Sequence, residues 1–151
     1  MRAILQGRRV RRSELNPAFV TAIPDTLDQG TIYISMTYGT ALHKCCCGCG
    51  QEVVTPLSPT DWTLHFDGER ITLDPSIGNW SFACQSHYWI RKNRVIWAKH
   101  WTPQEIEQGR RVDHAEKQQH YSQTTKAKPA DKATGRRGLW TTILSWFRKQ
   151  T

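Results

Sequence analysis

The stretch "LHKCCCGCGQEV", residues 42–53, places four of the five cysteines of the chain within positions 45–49. The fifth, Cys84, stands in "CQSHY" far downstream. A disulfide scaffold spreads its cysteines, because a bridge needs Cα atoms about 4.4–6.8 Å apart with converging Cβ vectors. Adjacent cysteines meet that condition poorly. The odd total, and an N-terminal "MRAILQGRRVRRSEL" without a sustained apolar core, also argue against a secreted disulfide protein. The stretch is therefore expected to be a metal site in a reducing, cytoplasmic setting. Zinc is the default for mixed sulfur and nitrogen ligands.

Structural zinc is usually four-coordinate, with ligand pairs donated from tight turns. Cys47-Gly48-Cys49-Gly50 supplies one pair, its glycines letting backbone NH groups turn toward the thiolates. Cys84-x-x-His87 supplies the other. Cys47, Cys49, Cys84 and His87 are thus the expected ligands, with Cys45 and His43 in reserve at alternate positions. The segment between the pairs holds a hairpin, so the metal would pin two ends of a β core together.

Working outward, the flanking sequence reads as short strands. "AFVTAI" is brief and β-branched, and "TIYISMTY" alternates Ile32, Ile34 and Met36 against Tyr33, Ser35 and Thr37, the period of a half-buried strand. "EVVTPL" follows the cysteines. In "DWTLHFDGERITL", Asp67-Gly68 predicts a two-residue hairpin turn. "DPSIGN" predicts a loop, and "WSFAC", "HYWI" and "RVIWA" predict three more strands, the last two joined by the turn-like "RKNR". Tryptophans 62, 80, 89, 97 and 101 fall among these strands and are expected mostly in the core, with one or two lining a peptide cleft. From Thr102 the character changes. "TPQE" pairs a Thr cap, Pro at the first helical position and Glu three residues after the cap.

The expected fold is mainly β: a small antiparallel β domain organised around a Cys/His zinc site, with a C-terminal helix and tail. Residues 1–17 form a basic N-terminal segment, a strand or an arm, and 18–101 the zinc-bound β domain. A polar helix occupies 102–121, a disordered linker 122–138 and an amphipathic segment 139–151. Formal charge is +8, but it sits at the ends: 1–17 hold five Arg against one Glu, whereas 18–101 hold six basic and seven acidic residues. A nucleic-acid reader places its positive charge on the folded face, so nucleic acid is not expected to bind the core. Residues 139–151 combine two Trp and a Phe with basic flanks, a pattern for weak docking on an anionic membrane surface or on a protein. No phosphate loop or dinucleotide fingerprint appears.

Together, "ALHKCCCGCGQEVVTPLSPTDW", "ITLDPSIGNW" and "CQSHYWIRKNRVIWA" resemble a family of small bacterial proteins encoded beside ubiquitin-like conjugation genes. The resemblance covers about residues 18–98 and rests on His-x-Cys-x-Cys-Gly-Cys-Gly, Pro-Ser-Ile and Cys-x-Ser-His-Tyr. It implies a serine-type peptidase that processes or removes a ubiquitin-like protein. The family often carries Pro where this chain has Cys46, a departure that makes Cys46 a poor ligand. A serine nucleophile needs a base within hydrogen-bond reach and donors aimed at the oxyanion. With His87 on zinc, His43 is the natural base for Ser86. Ser76 is the rival nucleophile, with Asn79 as oxyanion donor. A catalytic zinc with Glu52 as base fits no zinc-protease spacing. The alternative class is a non-catalytic zinc-bound β module that recruits a protein or nucleic acid. An enzyme requires His43 beside one of the serines in an open groove; a binding module does not.

Overall fold

Turn and strand chemistry divide the chain into two four-stranded sheets and one helix. The computed structural model describes residues 10–126. The first sheet has the order β1 (Asn16–Phe19), β2 (Thr31–Ser35), β3 (Thr40–Lys44), β4 (Glu52–Pro56), and the second β5 (Thr63–Phe66), β6 (Ile71–Gly78), β7 (His87–Arg91), β8 (Arg94–Trp97). All pairings are antiparallel except β1 with β2. The fold is therefore mainly β with one C-terminal helix, as the strand patterning implies.

Alternation decides which side chains face inward. Ile32 and Ile34 of β2, Ala41 of β3 and Val53 of β4 meet Ile71, Leu73, Ile77, Tyr88, Ile90 and Val95 of the second sheet in one core. His43 and Thr55 fall on the same inward rows, which is why a histidine lies fully buried. Met36 does not continue the row. β2 ends at Ser35, and Met36 opens the turn to β3 with 65% of its surface exposed. Residues 13–15, open between strand and arm in the sequence, run along β8. Leu15 N donates to Asn93 O at 2.8 Å and Val95 N to Ser13 O at 2.8 Å before the chain crosses to the first sheet.

Three local expectations change. The β5–β6 hairpin turns on Gly68 and Glu69, one residue later than Asp67-Gly68. Asp67 N bonds Arg70 O, its carboxylate accepts from Glu69 N and Arg70 N, and Gly68 alone takes positive φ, at 99°. "DPSIGN" is not a free loop but mostly the end of β6, carrying a register shift: Leu73 pairs Ile90 and Ile77 pairs Tyr88, so four steps on β6 face two on β7. "WSFAC" forms successive turns, with Phe82 N on Asn79 O and Gln85 N on Phe82 O. The β7–β8 turn is the one expected, with Lys92 and Asn93 both at positive φ.

Helix α1 spans Pro103–Lys126. Its capping box forms: Thr102 N donates to Glu105 Oε2 at 2.7 Å, and Glu105 N to Thr102 Oγ1 at 3.3 Å. It reaches five residues into the expected linker. The remainder of that linker, the segment 139–151 and most of the basic N-terminal segment lie outside the described residues. No helix among the described residues is long and apolar enough to cross a membrane.

Ile34 is fully buried where the two sheets meet. Ile34→Ala is expected to cost about 2–5 kcal/mol, the lost transfer energy plus a cavity, read as a lower denaturant midpoint at unchanged slope.

Candidate active site and metal centre

The β3–β4 connection is built by its cysteines and glycines. Cys45 N donates to Gln51 O at 2.7 Å and Gly48 N to Cys45 O at 3.0 Å, with Gly48 at φ 81° and Gly50 at φ 83°. Only glycine takes those angles without Cβ strain. The turn gathers the Cys45, Cys47 and Cys49 thiols on one side, while Cys46 points into the core. From the second sheet, the β6–β7 connection delivers Cys84. The four sulfurs Cys45, Cys47, Cys49 and Cys84 lie within 4.8 Å of one another. Cys45 is 3.4 Å from Cys47 and 3.9 Å from Cys84, and Cys49 is 3.8 Å from Cys84.

That donor set fits a metal. A tetrahedral ion with metal–sulfur bonds of about 2.3 Å separates its sulfurs by roughly 3.8 Å, close to these spacings. As thiols, the four gain little from one another. Burial pushes Cys45 and Cys47 above the ordinary thiol value. At Cys84 burial acts upward too, but hydrogen bonds from Ser86 and the neighbouring thiols outweigh it and bring the group down to about 7. Cys46, outside the cluster, is raised to about 12 by burial. The four cysteines can hold a metal ion. Compared with the ligand set expected from sequence, Cys45 stands where His87 was placed.

His87 is elsewhere for a physical reason. It is the first residue of β7, and its ring lies on the face of the sheet turned away from the thiols. There Nε2 bonds Ser76 Oγ at 3.0 Å. Ser76 sits in the register shift of β6, and such irregularities re-aim side chains. Trp80, Trp89 and Trp101 surround the imidazole, with ring centroids at 4.9, 5.5 and 4.8 Å. Trp80 can lie this close because residue 78 is glycine; a Cβ there would fall 2.4 Å from the indole nitrogen. Burial holds His87 below the ordinary imidazole value, opposed by the backbone of Lys99. No side-chain carboxylate bonds His87 among the described residues, and Nδ1 has no partner at full hydrogen-bond geometry.

Ser76 and His87 open into a cleft of about 660 Å³, bounded by Trp62, Trp80 and Trp101 on the sheet side and by α1 on the other. All five tryptophans singled out in the sequence are half-buried rather than central to the core, and three of them line this cleft.

Neither His43 nor Ser86 reaches it. His43 Nε2 bonds Tyr88 OH at 2.9 Å inside the core, and burial lowers the imidazole to about 3. Ser86 Oγ lies 3.1 Å from Cys45 Sγ and accepts from Asn79 Nδ2 at 2.9 Å. The Asn79 amide also lies 3.4 Å from Tyr88 OH. His43, Tyr88, Asn79, Ser86 and Cys45 thus form one buried polar chain ending on the thiol cluster. The expected His43–Ser86 pair is not formed, and the Asn79 side chain serves the cluster rather than Ser76. The signal for Cys45 was in the sequence: Cys45, Cys47 and Cys49 alternate, so they supply three ligands from one loop. The Trp cage and the Ser76–His87 pairing depend on the β6 register shift, which has no local sequence signature.

The described residues thus form a small β protein with a serine–histidine contact in an open cleft and, on the other face of β7, a four-cysteine cluster. A family model described as "Bacterial ubiquitination-like system serine protease (BubE)" matches residues 19–98, and the chain belongs to this family. No curated protein and no solved structure matches the chain.

Tyr88→Phe removes the hydroxyl that joins His43 to Asn79. Leaving buried His43 unpaired is expected to cost about 1–3 kcal/mol, measured by chemical denaturation. His43 also sets an acid dependence. Its folded value lies near 3, below the unfolded value of 6.5, so the unfolded state binds more protons between them. Its contribution is complete above about pH 6.5 and is lost as pH falls toward 3. His43→Leu is expected to flatten stability against pH over that window relative to wild type.

Proposed function

We propose that this chain is a serine peptidase acting on a ubiquitin-like protein or its conjugates, with Ser76 as nucleophile and His87 as general base. The observation that carries the proposal is the 3.0 Å contact between Ser76 Oγ and His87 Nε2 in an open cleft. A base must reach the proton it removes, and this distance lies within the required range. The depressed imidazole supports it, because a neutral ring is the form that accepts a proton at neutral pH.

The steps follow from these atoms. Ser76 Oγ attacks the scissile carbonyl carbon while its proton passes to Nε2. The tetrahedral adduct collapses as His87 returns that proton to the leaving amine, leaving the acyl group on Ser76. Water then attacks the ester, losing a proton to Nε2, and as the adduct collapses His87 returns that proton to Ser76 Oγ, releasing the carboxylic product and free Ser76. Among the described residues no carboxylate bonds His87, so the polar support for the imidazolium of each step comes from the Lys99 backbone. The surrounding indoles fix the ring and exclude water.

Cys45, Cys47, Cys49 and Cys84 would hold zinc, which four sulfur donors favour. Its role is structural, since a full set of protein ligands leaves no open position for substrate. Free thiols in this number fit a reducing compartment such as the cytoplasm. One zinc per chain is expected, and chelation should unfold the β core, because metal binding here is folding free energy.

Cleavage of a ubiquitin-like precursor tests the assignment. Ser76→Ala and His87→Ala are each expected to lower kcat at least 1,000-fold at unchanged zinc content, while Ser86→Ala keeps activity at a lower stability. Loss with Ser86→Ala alone would move the nucleophile to the thiol cluster. In wild type, kcat/KM should fall on the acid side with a midpoint below 6.5, since burial of His87 lowers its value. A midpoint above 7 would contradict the assignment.

A further inference from the structure

Helix α1 begins after residue 98, where the family match ends, yet it forms one whole wall of the cleft. It is not part of the core. Only Ile106 is buried, and beyond its first turn the helix packs extensively on none of the strands. Instead it is fastened at two ends. Near its start, Trp101 stacks on Trp80 with centroids 5.3 Å apart and planes at 18°, and Gly109 makes room for it. Toward its end, Lys117 Nζ lies 2.8 Å from Asp61 Oδ1 and 3.1 Å from Asp113 Oδ2, and Tyr121 OH lies 3.4 Å from Thr60 Oγ1. Between these fastenings its inward face lines the cleft. Val112, unlike the buried Ile106, stands on that face with 51% of its surface exposed.

We propose that α1 is the substrate-holding wall of the cleft, and that Val112 and Trp101 grip the extended C-terminal tail of a ubiquitin-like protein on its way to Ser76. The proposal rests on the reading of Ser76 and His87 as the reacting pair, which face this wall across the same space. The cleft volume of about 660 Å³ falls within the roughly 300–1,000 Å³ of sites that enclose a drug-sized ligand. That space admits a short extended segment and excludes a folded surface. Val112 lines the same cleft as Trp80, Trp101 and Ser76, and its exposed apolar surface supplies contact area for such a segment. The ion pair at Lys117 sets the distance of the wall from the floor. Val112 is therefore a specificity-determining residue contributed from outside the matched family segment.

The test measures binding in the full-length Ser76→Ala protein, so that no turnover intervenes. The probe is the ubiquitin-like protein of the host's ubiquitination-like system, with and without its C-terminal tail, followed by tryptophan fluorescence. Tail-dependent binding is expected, weakened at least tenfold by Val112→Arg and retained by Val112→Ile, with thermal unfolding of both variants unchanged. Equal affinity for Val112→Arg, no binding, or binding that ignores the tail would overturn the proposal. Cleavage by the chain with Ser76 intact is scored separately. Tail binding that responds to Val112 without any cleavage would uphold the wall and remove the peptidase reading instead.

Discussion

Four sulfurs from two sheets meet at one point, and the geometry on both sides of β7 depends on that meeting. Cys45, Cys47 and Cys49 belong to the β3–β4 turn of the first sheet, and Cys84 to the β6–β7 connection of the second. Hydrophobic contact between sheets is non-directional and would tolerate sliding. A tetrahedral thiolate centre would not. It would fix the connection over residues 79–86, and that connection sets where β7 begins.

His87 is the first residue of β7, three positions after Cys84. The backbone therefore relays the cluster to the cleft over a very short path, while the two sites use opposite faces. The buried chain from Cys45 through Ser86, Asn79 and Tyr88 to His43 continues the same constraint into the core. Its members are polar groups satisfied by one another, an arrangement that is costly to break at any link. Ser86 and His43 hold the scaffold in place; the open cleft falls to Ser76 and His87. No carboxylate bonds His87 among the described residues, and the three indoles supply the packing that holds its imidazole.

Most of the fold was legible because strand alternation and turn chemistry are local. Ile32 and Ile34, the Lys92-Asn93 turn and the Thr102 capping box are each decided by neighbouring residues. The cysteine count and the glycine spacing announced a thiol cluster able to hold a metal for the same reason. The candidate site was half legible. Ser76, Ser86, His43, His87 and Asn79 were all singled out, but the partners were exchanged. A Cys-x-x-His spacing reads as a ligand pair whether or not the histidine points at the metal. Direction depends on where β7 starts and on the two-residue register shift of β6 opposite it, both tertiary outcomes. Trp101 was among the tryptophans expected to include a cleft residue, whereas Val112 gave no signal because its place on the cleft exists only once α1 crosses it.

The central claim is that the serine in the cleft, not the serine on the cysteine cluster, is the reactive one. Treating the zinc-loaded full chain with a fluorophosphonate, then mapping the adduct by peptide mass spectrometry, tests it directly. The account predicts a single phosphonyl group on Ser76, abolished in His87→Ala and untouched in His43→Leu. An adduct on Ser86, or labelling of Ser76 that persists without His87, would contradict it.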